Sequence, residues 1–404
     1  MGSIKSTEKS KRGGRPIGKI NASLNEKLRT VKWGKYKTSD LFKPQKITNM
    51  LSKEDLSDEF CFPVYSSEST NNGIIGYTDS PEFSCDAEHP VFVTFGDHTR
   101  SFNIATKSFS VLDNVKVLLP SIHNIHCLLW IVTAWQKQIP NLGYARHWKI
   151  AKNCIVELPT KQGKIDFDFM ESFIEELEAE RVAELSTYLT ASGFDNYELS
   201  DEEQKALHRF EELKDDDWGT YAVGNLFEKV KTNKLPFKAK ELPKQPIDDY
   251  MLPCLTSSFQ NQGLNYYAPK IGATVLSNVI SLPSNSDVYR AYYQPNEFTV
   301  LSDSYAIRWK YSEAELTPNQ YLFMVMCINK VTDLPIYSYK NKLGGWNVVK
   351  DKEIKVPVKD GKINFELMEH LISAMKKLAI KDVVLYTDNK VSATKSVVQH
   401  TTND

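Results

Sequence analysis

One passage of the chain occurs twice, and this internal repeat constrains the fold more than any other feature of the sequence. Residues 162–171 read QGKIDFDFME, and residues 360–369 read DGKINFELME. Trp148 precedes the first passage and Trp346 precedes the second, and both the passages and the tryptophans are separated by 198 residues. A sequence that repeats at a fixed offset indicates a structural unit that repeats. The chain is therefore predicted to be a tandem duplication.

Earlier segments extend the repeat towards the start of the chain. The segment WGKY at 33–36 returns as WGTY at 218–221, and the Asn-Gly pair at 72–73 returns as Gln-Gly at 262–263. The stretches between these markers are rich in β-branched and aromatic residues and are interrupted by glycines, which is typical of short strands and turns. Each copy is therefore predicted to contain one β-rich unit, with a repeated frame and a diverged interior.

A long amphipathic helix is predicted to follow each β-rich unit. In residues 166–189 and 364–379, apolar residues recur at spacings of three, four and seven, which is the period of one helix face. Each apolar stripe requires a partner, and the nearest is the other helix in an antiparallel pair. The residues predicted for this helix and partner interface are Met170, Phe173, Ile174 and Leu177 in the first copy, and Met368, Leu371, Ile372 and Met375 in the second.

The predicted fold class is α+β, with two β-rich domains in a pseudo-two-fold arrangement, joined by long amphipathic helices that form an antiparallel coiled-coil spacer. The predicted segments are a disordered basic tail (1–20), a first β-rich domain with its leading helix (21–160), a helical spacer (161–215), a second β-rich domain (216–358), a second spacer helix (359–386) and a polar tail (387–404). The leading helix is predicted over residues 21–31 with Ser23 as its cap. Gly193 is predicted to end the first long helix, and Ser200 and Glu203 form a capping box for a second, shorter helix.

Composition excludes several classes of protein. No run of about 18 apolar residues occurs, so a membrane span is not predicted. Six cysteines are scattered without a Cys-x-x-Cys pair, which favours reduced thiols, a cytoplasmic location and no metal site. The formal net charge is −1, but the first 35 residues are strongly basic and residues 171–217 are acidic. This uneven charge allows DNA contact at some places and protein contact at others.

The sequence lacks the motifs that a catalytic function in DNA modification requires. It contains no Asp/Asn-Pro-Pro-Tyr/Phe methyltransferase motif, no glycine-rich cofactor loop, no Gly-x-x-x-x-Gly-Lys-Ser/Thr run and no Pro-Asp…Asp/Glu-x-Lys nuclease pattern. His98, His123 and His126 have no nucleophile or matching ligand set beside them in the sequence, so they are interpreted as structural histidines. These absences favour a non-catalytic recognition protein that needs a partner for any reaction.

The order of these motifs resembles the specificity subunit of type I restriction–modification systems and of the related type IIB enzymes. The features that carry the resemblance are Leu-Phe at 41–42, Ser-Ser at 66–67 followed by NNGIIGY at 71–77, and the run from Trp148 to Pro159 that leads into DFDFME at 166–171. The resemblance implies that each β-rich unit is a target-recognition domain that reads one half of a split site in double-stranded DNA. It also implies that the helices space these domains and dock adenine-methyltransferase subunits, and possibly restriction subunits. S-adenosylmethionine is then bound by the methyltransferase subunit, and this chain carries no cofactor.

Two kinds of loop are the predicted contacts with DNA. The Asn-Gly and Gln-Gly loops offer amides that can bond an adenine edge and glycines that let the backbone approach a phosphate, although an Asn-Gly pair can also be only a tight turn. The loops before Trp148 and Trp346 place basic and aromatic residues beside glycines. The predicted DNA-binding residues are Ser66, Ser67, Asn71, Asn72, Gly73, Arg100, Lys107, Tyr144, Arg146, Ser257, Asn261, Gln262, Gly263, Arg290, Lys340 and Lys342.

A second class of function fits the same pattern. Tyrosine and tryptophan on loops also suit a two-module scaffold that binds carbohydrate or protein, or a protein that mimics a specificity subunit. Salt dependence distinguishes these readings, because DNA binding weakens steeply as salt rises and sugar binding does not.

Overall fold

The computed structural model describes residues 21–311 and 315–401, and it describes side chains as far as residue 393. The predicted basic tail at 1–20 lies outside the described residues. By their contacts, the described residues fall into two compact units, residues 21–185 with 389–401, and residues 186–388. The division falls inside the first long helix, whose first part packs on the first β-rich unit.

The first copy contains fifteen α-helices and β-strands within the described part, besides short 3-10 turns. In chain order they are α1 (Ala22–Thr30), β1 (Trp33–Lys37), α2 (Thr38–Leu41), β2 (Phe42–Pro44), β3 (Phe62–Tyr65), β4 (Ile74–Thr78), β5 (Phe92–Gly96), β6 (Phe102–Ala105), β7 (Ser110–Val111), β8 (Val115–Pro120), α3 (Ile125–Gln138), α4 (Trp148–Ala151), β9 (Ile155–Lys161), β10 (Lys164–Ile165) and α5 (Phe167–Ala191).

The second copy repeats these elements one for one. They are α6 (Asp201–Glu211), β11 (Trp218–Ala222), α7 (Val223–Leu226), β12 (Phe227–Lys229), β13 (Leu252–Leu255), β14 (Leu264–Ala268), β15 (Val279–Pro283), β16 (Tyr292–Gln294), β17 (Thr299–Val300), β18 (Ser304–Trp309), α8 (Pro318–Thr332), α9 (Trp346–Val349), β19 (Glu353–Lys359), β20 (Lys362–Ile363) and α10 (Phe365–Thr401). The sequence prediction of a tandem α+β duplication is confirmed.

The two copies also share their sheet topology. The first copy has sheets in the strand orders β1-β9-β10, β2-β8-β5-β6 and β4-β3-β7, and the second has β11-β19-β20, β12-β18-β15-β16 and β14-β13-β17. Even the registers agree, since Gly34 pairs with Leu158 in the first copy and Gly219 pairs with Val356 in the second. The repeat is therefore one of backbone frame as well as of sequence.

Local chemistry explains why the QGKID and DGKIN passages repeat. Gln162 and Gly163 have φ values of 52° and 79°, and Asp360 and Gly361 have 53° and 76°. Two consecutive left-handed residues of this kind form the tight turn that joins antiparallel strands. The Lys-Ile pair is the returning strand, and the next residue caps the long helix. Asp166 Oδ1 accepts from Phe169 N at 3.1 Å, and Asn364 Oδ1 accepts from Leu367 N at 3.0 Å.

Each unit has its own apolar core between the four-stranded sheet and a buried helix. In the first unit, α3 packs Leu128, Ile131 and Trp135 against Phe95 of β5 and other buried residues. In the second unit, α8 packs Met324 and Ile328 in the same way. Trp148 and Trp346 are half-buried against these cores.

The apolar stripes of the long helices differ from the prediction in what they contact. Met170 belongs to the core of the first unit, and Met368, Leu371 and Ile372 belong to the core of the second. The first turns of each long helix therefore pack on their own β-rich unit, because the hairpin that precedes each helix fixes its direction towards that unit. Beyond those turns, Ile174 and Leu177 are half-buried, and Met375 is 44% exposed.

Two predicted helix boundaries are corrected, and a third is confirmed. Asn21, and not Ser23, caps α1, because Asn21 Oδ1 accepts from Leu24 N at 2.7 Å. The first long helix ends as predicted at the left-handed Gly193, where Phe194 N donates to Leu189 O. Helix α10 continues to Thr401 through residues that were assigned to a polar tail. Residues 387–401 contain neither Gly nor Pro, so nothing in that stretch breaks the helix.

All six cysteines lie in the described part of the chain, and each is a free thiol. Among the described helices, none is both long enough and apolar enough to cross a membrane.

Candidate nucleic-acid interface

Three loops meet at one edge of the first unit. They are the β3–β4 turn (66–73), the β5–β6 turn (97–101) and the loop before α4 (141–147), and together they are called edge 1. Thr99 Oγ1 donates to Ser67 O at 2.6 Å and so joins the first two loops. His98 Nδ1 donates to Tyr144 O at 3.2 Å, and the two rings stack 4.3 Å apart, which joins the second and third loops. Edge 1 contains most of the predicted contacts of the first copy.

The β3–β4 turn has an unusual backbone. Asn71, Asn72 and Gly73 have φ values of 47°, 50° and 77°, a left-handed conformation that is uncommon outside glycine and that asparagine adopts more readily than most residues. The Asn71 amide stabilises the turn by donating to Ile74 O at 3.0 Å. The Asn72 side chain is exposed and makes no hydrogen bond within the described residues. The turn therefore uses one amide for its own structure and presents the other to solvent.

The second unit has the same three loops at the corresponding edge. They are the β13–β14 turn (256–263), the β15–β16 loop (284–291) and the loop before α9 (334–345), and together they are called edge 2. Ser286 Oγ donates to Ser257 O at 2.8 Å, in the place of the Thr99 to Ser67 bond. Asp287 Oδ1 accepts from Tyr339 N at 2.9 Å, in the place of the His98 and Tyr144 pair. The frame is the same, but the side chains that build it differ.

The left-handed turn is also repeated. Asn261, Gln262 and Gly263 have φ values of 49°, 53° and 85°, and Asn261 Nδ2 donates to Leu264 O at 2.5 Å. Gln262 occupies the place of Asn72, and its side chain is likewise exposed without a hydrogen bond to any described residue. At Gly263 an added Cβ would lie 3.0 Å from Thr256 O, so glycine is required there by close approach as well as by φ. Both copies retain a strained turn that ends in an exposed amide.

A buried histidine fixes the third loop of edge 1. His147 is fully buried, its Nδ1 donates to Asp97 O at 2.9 Å, and its Nε2 accepts from Leu142 N at 3.2 Å. Asp97, which is also buried, accepts from Trp148 N at 2.6 Å. Because one ring nitrogen donates and the other accepts, the imidazole is neutral. The loop that carries Tyr144 is therefore held at both of its ends.

The two predicted arginines anchor loops to helices. Arg100 Nη1 donates to Ile139 O at 2.9 Å, at the end of α3. Arg290 Nε donates to Asp333 Oδ2 at 2.6 Å, at the end of α8, and this hydrogen bond raises the pKa of Arg290 above its ordinary value. Both side chains thus tie the hairpin loop to the helix behind it. Their contact with DNA remains a prediction.

The remaining predicted cations differ in position. Arg146 at edge 1 and Lys340 and Lys342 at edge 2 are exposed, and no described residue forms an ion pair with them. They can therefore meet phosphates without first breaking an internal contact. Lys107 lies apart from edge 1, because it follows β6 at the far end of the β5–β6 hairpin. Ser66 is buried, and its backbone N donates to Gly73 O at 2.8 Å, so it shapes the turn.

An apolar groove lies on another face of the first unit, between α1, α3 and α5. It has a volume of about 1090 Å³, and it is called groove 1. Its apolar lining includes Leu28, Trp33, Ile125, Leu129, Ile174 and Leu177. Trp33, Ile125 and Leu129 are 47%, 45% and 43% exposed. Exposed apolar surface of this kind marks a site of protein contact.

Sequence reasoning missed several residues that build the edges. Thr99 and Ser286 are ordinary polar residues in the sequence, and only the fold brings them to Ser67 and Ser257. The one available signal was the Asp97-His98 pair between two apolar stretches, which marks a turn with polar side chains.

Comparisons with known proteins agree with this architecture. Residues 30–187 match the family model of the type I restriction modification DNA specificity domain. The specificity subunit S.BcgI of a type II restriction enzyme from Heyndrickxia coagulans is 21% identical over 354 residues, which cover 87% of this chain and 96% of that protein. The crystal structure of an S subunit of a type I restriction–modification system from M. genitalium is 12% identical, with a TM-score of 0.55 over 94% of this chain and 95% of that one. That likeness shows a shared fold.

Residues 30–187 therefore match a DNA specificity domain of the type I restriction modification kind, and the chain as a whole has the fold of a specificity subunit and resembles one over most of its length. Such subunits are the non-catalytic component of their systems. Those of type I systems assemble with other restriction–modification subunits and bind DNA.

Proposed function

We propose that the chain reads a bipartite DNA target, with edge 1 on one half-site and edge 2 on the other, and that it docks methyltransferase subunits through its helices. The main observation in support of this proposal is that edges 1 and 2 have the same backbone frame but expose different side chains. Two different half-sites require two recognition surfaces that share a shape but differ in their side chains. Edges 1 and 2 are related in this way. Double-stranded DNA is the ligand, and we place the chain in the cytoplasm, where such DNA is found.

Base recognition is assigned to Asn72 and Gln262. Each carries a side-chain amide that offers a donor and an acceptor, which matches the N6 and N7 edge of adenine in the major groove. Neither amide is used within the described structure, and a strained turn holds each one outward. Strain that is kept at the same place in two diverged copies supports a functional role.

Phosphate contact is assigned to Arg146, Lys340 and Lys342. Charged side chains on loops beside a reading residue fix the register of a protein on the duplex. Tyr144, which is 86% exposed and stacked on His98, adds a flat surface for a sugar or base at edge 1. Arg100 and Arg290 act behind these residues by holding the loops.

Partner docking is assigned to groove 1. The groove lies between helices α1, α3 and α5, and its apolar lining suits the apolar face of one further helix. We propose that this helix belongs to a methyltransferase subunit, which also binds S-adenosylmethionine. The long helices α5 and α10 are proposed to run antiparallel and to set the distance between the half-sites.

A reciprocal pair of substitutions tests base recognition. Asn72→Ala removes the amide and leaves Asn71, which builds the turn, untouched. A good bidentate contact is worth about 1–3 kcal/mol, so the variant complex is expected to lose about 5- to 150-fold of its preference at one base pair. Methylation-site sequencing of the reconstituted complex measures this loss.

Gln262→Ala serves as the matched control, since it makes the same change at edge 2. It is expected to relax one position in the other half-site only. If both variants relax the same half-site, or if neither changes the target, then the assignment of one edge to each half-site is wrong.

A further inference from the structure

One imidazole and three carboxylates cluster between the start of α3 and the first half of α5. His126 Nδ1 lies 3.7 Å from Glu175 Oε1, and His126 Nε2 lies 3.5 Å from Glu178 Oε2. The ligand atoms of His126, Glu171 and Glu175 all lie within 4.8 Å of one another. His126, Glu171 and Glu178 line groove 1, but neither the reading of DNA nor the docking of an apolar helix face requires such a group. The cluster therefore needs an explanation of its own.

We propose that His126, Glu171 and Glu175 bind a divalent transition-metal ion of the Zn²⁺ type. Imidazole nitrogen and carboxylate oxygen are both ligands of Zn²⁺, and residues four apart on a helix face the same way. Around a tetrahedral ion, ligand atoms lie about 3.4 Å from one another, as follows from bond lengths of about 2.1 Å. Rotation of the exposed Glu175 side chain closes the remaining distance.

The surroundings of the three ligands match those of a metal site. A histidine that binds a metal through one nitrogen usually donates from the other to a carboxylate, and Glu178 lies beside His126 Nε2 in this position. A neighbouring amide holds the second ligand, because Asn124 Nδ2 donates to Glu171 Oε1 at 2.5 Å. Lys390 in turn holds Glu178 at 2.8 Å. The imidazole and the ligand Glu171 are thus oriented by side chains outside the ligand set.

The second copy provides an independent comparison at the same place in the fold. Asn124 and Thr317 cap α3 and α8, and each cap bonds the matching glutamate of its long helix. The offset of 198 on the long helices and the shared cap position give four equivalent pairs: Glu171 and Glu369, Glu175 and Ser373, Glu178 and Lys376, and His126 and Asn319.

In the second copy this place holds a cation from the chain itself. Lys376 Nζ donates to Asn319 Oδ1 at 2.5 Å, and Asn319 Nδ2 donates to Glu369 Oε1 at 2.7 Å. Burial lowers the pKa of Lys376, and the nearby charge of Glu369 acts in the opposite direction. The lysine side chain thus lies beside the start of α8 although burial lowers its pKa and the helix dipole disfavours positive charge there. The first copy has a carboxylate, Glu178, in place of this lysine, and the proposed metal ion takes the place of the lysine nitrogen beside the start of α3.

Calorimetric titration of the full chain with Zn²⁺ tests the proposal. The protein is prepared without a polyhistidine tag and treated with a chelator beforehand. One ion is expected to bind per chain, and X-ray absorption should show nitrogen and oxygen ligands without sulfur. At a free Zn²⁺ concentration about 100 times the dissociation constant, the melting temperature is expected to rise by about 5 to 10 °C. Neither DNA nor a partner subunit is needed, so failure of this test leaves the proposed function untouched.

The decisive variant copies the second unit. His126→Asn with Glu175→Ser installs the residues that the chain itself uses at the equivalent positions, and it is expected to fold and to lose both the heat of binding and the thermal shift. The control is His208→Asn, which removes an exposed histidine beside Glu212 on α6 and should bind Zn²⁺ as the parent does.

Three results overturn the proposal. They are an absence of binding by the parent chain, undiminished binding by the double variant, and sulfur in the coordination sphere, which would place the ion on a cysteine. An absence of binding would mean that the carboxylates serve the start of α3 or a cationic side chain of a partner. If the double variant does not fold, the single His126→Asn variant decides by the same criteria.

Discussion

The buried ion pair between α6 and α10 gives the sharpest prediction about stability. Glu203 is 4% exposed, and its carboxylate accepts from Lys377 Nζ at 2.8 Å, from Ser373 Oγ at 2.6 Å and from Ser200 N at 2.8 Å. This side chain thus closes the capping box of α6 and fastens α6 to the spacer helix α10. Glu203→Gln keeps the size of the side chain and removes its charge.

The expected cost follows from these contacts. Hydrogen bonds to charged groups contribute about 1.5–3 kcal/mol each, and breaking a buried pair costs about 3–5 kcal/mol when one charge is left unpaired. Glutamine retains part of the cap, and Lys377 also donates to Glu198 O at 2.8 Å. We therefore expect Glu203→Gln to lower the free energy of unfolding by about 2 to 3 kcal/mol. In a unit of this size, the melting temperature should fall by about 4 to 12 °C.

Urea and thermal unfolding of the full chain measure this change, with circular dichroism as the signal. Glu202→Gln is the matched control, because Glu202 is the exposed neighbour on the first turn of α6 and should cost only a few tenths of a kcal/mol. If Glu203→Gln is no more destabilising than Glu202→Gln, then the pair does not hold α6 to α10 and the reasoning fails.

The same pair predicts a pH dependence. Burial by itself raises the pKa of Glu203, but hydrogen bonds from Lys377, Ser373 and Ser200 outweigh it and leave the pKa below its ordinary value. A carboxyl group whose pKa is lowered by folding stabilises the fold above its unfolded pKa, about 4.3, and loses this effect as pH falls through the folded pKa. The difference between the parent and Glu203→Gln should therefore be constant from about pH 6 to 8 and shrink in acid below about pH 4.

Three further predictions concern the partner subunits and the spacer. Leu177→Asp puts a charge into the wall of groove 1, where the side chain is only half-buried. The variant should lose about 1 kcal/mol of stability but should no longer co-purify with the methyltransferase subunit. The control Ser172→Asp, on the exposed face of α5, should still co-purify with that subunit. The isolated chain should transfer no methyl group from labelled S-adenosylmethionine to DNA, and transfer by a preparation free of other subunits would contradict its assignment as a non-catalytic subunit. Inserting one heptad between Leu177 and Leu189, with a matching heptad after Met375, lengthens each helix by about 10 Å, which corresponds to about 3 base pairs of DNA. The unspecified spacer in the methylated site should grow by that amount. An unchanged spacer with full activity would show that the helices do not set the distance between the half-sites.

Features set by neighbouring residues were readable from the sequence. The end of the first long helix at Gly193 was predicted because it depends on a few adjacent residues, and the Gln162-Gly163 and Asp360-Gly361 turns and the cap at Asp166 are local in the same sense. The period of the apolar stripes likewise predicted both long helices, because helix amphipathicity is a local property.

Features set by contacts between distant residues were not readable. Met170, on the apolar stripe of α5, packs on the core of the first unit because the preceding hairpin fixes the direction of the helix. The spacing of apolar residues along the sequence does not predict that direction. In the same way, Thr99 meets Ser67 and Arg100 meets the end of α3 only after the sheets form. The sequence named the loops at edges 1 and 2 but did not show which side chains support them and which face solvent. Asn71 and Asn72 are adjacent and chemically identical, and only the backbone separates their roles.

The central claim is that each repeated unit reads its own half of the DNA target. The most direct test replaces residues 33–159 with the matching segment of a related specificity subunit of known target, in the complete complex with its methyltransferase subunits. Sequencing of the methylated sites then gives both halves of the target in one measurement. The account predicts that one half-site changes to that of the donor while the other half-site stays as it was. A complex in which both halves change, or in which neither does, would contradict it.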